Sequence, residues 1–216
     1  MGLSCTCPIT VLPTLSNVTC PVDFDQVVRL GLTLKKADPD FVTATPITDE
    51  TIWTGLLSAV DETKIQLTPA LANFVIPSSE GSFIGGNDNS TVDGMRYYVG
   101  EDNITITTEI HSADQDAINT LDDLSCLSDA TLGGSRLTMF PMTRPIRGKS
   151  YILAKAGETA GDYSGIEVFN FRVSSVGSEG YNSKNKYMVS FDVKANDMRA
   201  FTAVQVDFSP FVLANP

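Results

Sequence analysis

The chain carries a single histidine, His111, and four cysteines, Cys5, Cys7, Cys20 and Cys126. With one histidine, any Ser-His-Asp scheme has one candidate base. Ser112 and Asp114 follow it closely, but neighbours at a strand-to-helix junction do not line up three side chains, so no catalytic residue is assigned. The cysteines lack zinc-ligand spacing, because Cys5 and Cys7 stand closer than the usual pair and Cys126 is far away. They read as plain small residues, with a disulfide formed in an oxidising medium as the alternative. Basic residues are also few: 15 stand against 26 acidic ones, for a net charge of −11. Such a chain is poorly suited to wrapping nucleic acid, where affinity depends on Lys and Arg neutralising phosphates. No apolar run approaches the roughly 20 residues of a membrane span. The start of the chain lacks the basic and apolar regions of a signal peptide. Synthesis in a reducing cytoplasm, with no membrane partner, is therefore the expectation.

What is present points to β-structure. With 42% hydrophobic residues in 216, the chain can bury a full core without metal or disulfide support. Residues 1–24 hold Pro8, Pro13 and Pro21. Proline removes amide donors and locks φ, so this segment reads as an extended arm. The rest, 25–216, reads as a single β-rich domain. Its clearest stretch is Asn103 to Cys126. Ile104, Ile106 and Ile110 alternate with polar residues, as on a half-buried strand. Ser112 is a ready N-cap, Asp114 and Asp116 suit the first turn, and Ile118, Leu121 and Leu124 make an apolar stripe. A helix over about 113–126 follows. Thr48 caps a second, short helix over about 49–60, with Ile52, Leu56 and Leu57 inward and Trp53 as core.

Strands are predicted at Asp25–Lys36, Lys64–Leu67, Leu71–Ile76, Leu137–Met142, Lys149–Lys155, Ile166–Val176, Lys186–Ala195 and Ala203–Phe208. Met95–Val99 and Ile104–Ile110 read as a hairpin around Gly100–Asn103. The fold class is mainly β: an antiparallel sandwich or barrel with one helix laid against it. Pro77 to Gly94 reads as a long polar loop, and loops of this length in compact domains usually carry function.

Asn87, Asp88, Asn89 and Asp93 offer oxygen ligands that calcium would accept, but without EF-hand spacing they read as turn residues. Gly81–Gly86 lacks the lysine of a phosphate loop. No cofactor and no metal are expected. Arg144, Arg147 and Lys149 cluster around Pro145, a basic corner that reads as ordinary solvated charge or, on an acidic protein, as a contact for an acidic surface, including that of a neighbouring copy. Phe83 and Ile84 are the apolar residues of the long loop. These five, Phe83, Ile84, Arg144, Arg147 and Lys149, are the candidate assembly residues.

The strand entering a helix (Ile104 to Cys126), the strand pair that follows and the long closing hairpin (Ile166–Val176 with Lys186–Ala195) resemble the tail-tube and tail-ring proteins of tailed bacteriophages. The Thr/Asp/Asn-rich strands are also similar to virion proteins of phages infecting gut Bacteroidota. The resemblance spans roughly residues 25–208 and has no catalytic residues to carry over. It implies a virion structural protein, made in the host cytoplasm, that forms homo-oligomeric rings or a tube as a conduit for DNA. It also implies contact with other tail proteins and the transient, non-specific passage of DNA. The loop at 77–94 and the arm at 1–24 would reach neighbouring subunits; the cysteines of the arm are not a feature of that family. A capsid-decorating protein is the alternative reading. A carbohydrate-binding β-sandwich comes third, and would need an exposed aromatic platform from Trp53, Tyr97, Tyr98 or Tyr163.

Overall fold

A computed structural model describes residues 27–35, 40–78, 81–85, 96–101, 103–111, 113–128, 136–145, 148–174, 177 and 185–215. The arm at 1–24 lies outside them. One large antiparallel sheet runs through most of the chain. Along its main path the strands are ordered β12 (Phe201–Val206), β8 (Ser150–Ala156), β7 (Leu137–Thr143), β10 (Ile166–Val173), β11 (Lys186–Val193), β6 (Ile104–His111) and β3 (Leu71–Val75). Beside β7 lies β1 (Val27–Leu34), which also pairs with β2 (Ile65–Leu67), and β9 (Tyr163–Ser164) extends β8. The sheet is open, so the fold is a sandwich and not a closed barrel.

The fold-over happens within β10. Ile166–Val168 pair with β7, whereas Phe169, Arg172 and Val173 pair with β11. Just past the change of partner the register against β11 slips between Phe169 and Arg172, and Asn170 sits in that slip at φ 52°. Asparagine tolerates this left-handed backbone better than other non-glycine residues, and a bulge bends the strand. Its amide donates to Asp192 Oδ2 at 2.7 Å. The same device recurs in β3, where Asn73 stands at φ 52° in a bulge and donates to Glu109 Oε2 at 2.9 Å.

β7 is buried along all seven residues, and its alternation feeds two cores. Leu137 and Met139 join Leu30, Ile106, Ile110, Val189 and Phe191 between the two halves of the sandwich. Phe140 and Met142 face the other way, under Trp53 and Leu57 of α1 (Glu50–Leu57) and under Phe208 and Leu213 of the C-terminal segment. Pro141 would disrupt an ordinary central strand. Here it is tolerated for a visible reason. Leu30, its partner on β1, turns its N–H and C=O towards Thr68, so the Leu30–Pro141 pair carries no ladder bond. Proline's missing donor therefore falls on the far side of β7, where pairing with β10 has ended at Met139 and pairing with β8 resumes at Met142.

The mainly-β class with packed helices is as expected, with several local corrections. The predicted helices appear as α1 and as α2 (Gln115–Asp123), which runs into a 3-10 turn, Leu124–Ser128. The cap of α1 is Asp49, whose carboxylate accepts from Thr51 N at 2.9 Å, and not Thr48. Asp114, and not Ser112, holds the N-cap position of α2, without a side-chain bond. Ala195 is not the end of a strand but opens a short helix, α3 (Ala195–Arg199). The expected pairing of 95–99 with 104–110 does not form. β6 lies between β11 and β3, because its alternating isoleucines belong to the sandwich core.

One ion-pair cluster ties three strands and yields a pH prediction. Glu167 of β10 lies 2.6 Å from Lys35 Nζ, just beyond β1, and 3.2 Å from Lys194 Nζ, just beyond β11. Burial pushes its carboxyl up, but hydrogen bonds and charge from Lys35 and Lys194 outweigh that and hold it below the usual value of 4.5. A depressed carboxyl stabilises the fold above its unfolded pKa, and that stability is lost as pH falls through the folded value. Glu167→Gln should thus cost about 0.2–1 kcal/mol at pH 7, as a partly exposed pair. The gap to the parent should narrow as pH drops below about 4.5, read by denaturant titration at both pH values.

Candidate assembly surface

The long loop predicted at 77–94 contains a strand. β4 (Gly81–Ile84) pairs with β5 (Tyr97–Glu101) in a separate two-stranded sheet. Phe83 lies opposite Tyr98 and Ile84 opposite Tyr97, and the register slips past Val99. Because adjacent strand residues point to opposite faces, Phe83 and Tyr98 share one face while Ile84 and Tyr97 share the other. Both faces are therefore apolar.

The first face is internally organised. The rings of Phe83 and Tyr98 meet edge-on at 5.7 Å, and the Arg96 guanidinium lies 5.4 Å from the Phe83 ring centre. Gly81 lies beneath Tyr98 so closely that a Cβ there would come within 2.5 Å of the tyrosine ring. Among the described residues, the large apolar side chains of this strand pair are all more than half exposed. Phe83 is 52% exposed, Ile84 60%, Tyr97 52%, Tyr98 56% and Val99 57%. All five stand apart from the two hydrophobic cores. A two-stranded hairpin is marginal in water without a surface to bury against, and exposed apolar patches mark interaction sites.

The other expected assembly residues stand elsewhere. Arg144 is exposed at the end of β7, and Lys149 is exposed before β8, with Nζ donating to Gln205 Oε1 at 3.3 Å. Arg147 lies outside the described residues. The basic corner thus belongs to a turn of the large sheet, and Phe83 and Ile84 to the small one. Sequence reading missed the partnership of Tyr97, Tyr98 and Val99 with Phe83 and Ile84. The available signal was two short apolar runs flanking a glycine- and asparagine-rich segment, a hairpin pattern obscured by its length.

His111 ends β6 on its solvent face, with Nε2 3.3 Å from Glu109 Oε2. Cys126 is exposed on the 3-10 turn, its thiol donating to Asp123 O at 3.0 Å. Cys5, Cys7, Cys20 and the oxygen-bearing residues Asn87, Asp88, Asn89 and Asp93 lie outside the described residues. Among the described residues no three His, Cys, Asp or Glu side chains converge as a metal site would require. No described helix is long and apolar enough to cross a membrane.

The aromatic platform needed for a carbohydrate-binding sandwich is not assembled among the described residues. Trp53 is fully buried, Tyr163 is half-buried, and Tyr97 and Tyr98 face opposite ways. Comparison with protein-family models, curated proteins and solved structures finds no match for this chain.

Proposed function

We propose that the protein is a virion structural subunit that assembles with copies of itself into rings or a tube of a phage tail, a conduit through which DNA passes. The observation that carries this reading is the β4–β5 hairpin, with large apolar side chains more than half exposed on both faces. A surface apolar on one side could lie against any partner, whereas a two-sided hairpin needs a slot. A second copy of the chain is the occupant this reading requires, since head-to-tail insertion of one subunit's hairpin into the next generates closed rings or open tubes. Charge supports the conduit. A net charge of −11 disfavours the phosphate contacts that would arrest passing DNA. The open sheet supports it too: among the described residues β12 and β3 end its main path, and sheet edges can be paired or covered by a neighbour.

Negative-stain imaging of the purified protein tests the reading. Rings or stacked rings are the expected result, with carboxylates outnumbering Lys and Arg along the lumen when the structure of the ring is determined. A protein that stays a single particle, alone and with adjoining tail components, overturns the assembly. A lumen lined by basic side chains overturns the conduit.

A further inference from the structure

The C-terminal segment returns to the middle of the molecule and is clasped there. Arg29, on β1, donates from Nη1 to the carbonyl of Pro210 at 3.1 Å and to that of Leu213 at 2.7 Å. Its guanidinium carbon lies 5.5 Å from the Phe211 ring centre. Asn215 completes the clasp. Its side-chain oxygen accepts from Leu67 N at 2.9 Å, and its amide donates to Leu67 O at 2.8 Å. One asparagine thus imitates a paired strand along β2.

Between this clasp, β2 and α2 a cavity of about 240 Å³ remains. Ala117, Leu121 and Pro69 make apolar walls, Gln66 and Thr120 add polar groups, and Arg29 is the single charged residue of the lining. In a chain with 26 acidic residues, the described lining of this cavity has a cation and no acid. Among the described residues no carboxylate lies within ion-pair distance of Arg29, and its buried Nε has no acceptor. Burial lowers the guanidinium's pKa, yet arginine stays charged at neutral pH. A partly buried charge without a counter-ion is unfavourable, and hydrogen-bonding capacity on the guanidinium is left over.

We propose that this cavity is a binding site for a carboxylate on a short aliphatic stem. The oxygens meet the Arg29 guanidinium from the cavity side, as a charge-assisted contact, and the stem lies on Ala117 and Leu121. A single cation among aliphatic walls fits a monoanion with an apolar stem better than a phosphate dianion. The carboxylate comes either from a free small acid or from an Asp or Glu side chain of a second copy. This site is independent of the hairpin and of the assembly reading.

The test is titration of the full chain with sodium butyrate against sodium chloride at matched ionic strength, read from backbone amide NMR shifts. Saturable shifts at Arg29, Leu67, Leu121 and Asn215 are expected, with a dissociation constant of about 1 mM or tighter. Thr120→Leu fills the cavity with a better helix former and leaves the clasp intact. It should weaken butyrate binding at least about tenfold. If the same amides shift with protein concentration in the absence of butyrate, and butyrate reverses this, a second copy supplies the carboxylate. If they do not, the ligand is a free acid. Non-saturable shifts equal to those with chloride, or binding unchanged in Thr120→Leu, would overturn the site.

Discussion

The double variant Phe83→Ser, Ile84→Ser should leave the subunit folded and monomeric under conditions where the parent assembles. Each side chain is already about half covered within the hairpin, so full burial by a neighbour adds roughly 1–1.5 kcal/mol apiece. Losing both should therefore weaken each contact about 100-fold. Association must first overcome several kcal/mol of lost rotational and translational freedom, so a deficit of this size is decisive for a ring. The fold should not notice, because neither residue belongs to a core and surface substitutions usually change stability by less than about 0.5 kcal/mol. Sedimentation of the variant beside the parent reads the first effect, and thermal unfolding by circular dichroism reads the second. A variant that assembles normally removes the hairpin from the interface, and one that unfolds makes the hairpin part of the fold.

Trp53→Ala should have the largest effect on stability. Trp53 is fully buried beneath the outer face of the large sheet. Its ring lies 4.8 Å from that of Phe41 and 5.7 Å from that of Phe140, and Nε1 donates to Ile47 O at 2.8 Å. A Cβ at Gly31 on β1 would stand 3.4 Å from the indole, an ordinary contact distance, and 3.3 Å from Ile65 Cγ2. Truncation opens a cavity and should cost about 3–5 kcal/mol, a large share of the roughly 5–15 kcal/mol that holds a domain together. Trp53→Phe should cost less, leaving a smaller void and Ile47 O without its donor, at about 1–3 kcal/mol for the orphaned group. Urea unfolding followed by circular dichroism measures both. A loss under about 1 kcal/mol for the alanine variant would show that the second core contributes little.

Much of this fold was legible because its signals are local. Ile104, Ile106 and Ile110 alternate as strand residues and do face the core, and Trp53 sits inside as its helix predicted. Other features depend on residues far apart in the chain. Nothing near Asn170 announces that β10 changes partners there, since the bulge is set by where β7 and β11 lie. The tolerance of Pro141 rests on Thr68 taking the hydrogen bonds of Leu30. Arg29 falls within the predicted strand Asp25–Lys36, but its clasp appears only when Pro210 and Leu213 come back to it. The candidate assembly surface was half visible: Phe83 and Ile84 stood out as apolar in a polar stretch. Their pairing with Tyr97 and Tyr98 did not, because the intervening segment exceeds the short turns that mark hairpins in sequence.

Self-association is the property on which the functional reading rests, and sedimentation velocity of the full chain over a wide concentration range measures it directly. The 23.2 kDa species should give way to discrete heavier particles as concentration rises, with the Phe83→Ser, Ile84→Ser variant remaining behind. A single 23.2 kDa species at every concentration, unchanged by adjoining tail components, would contradict it.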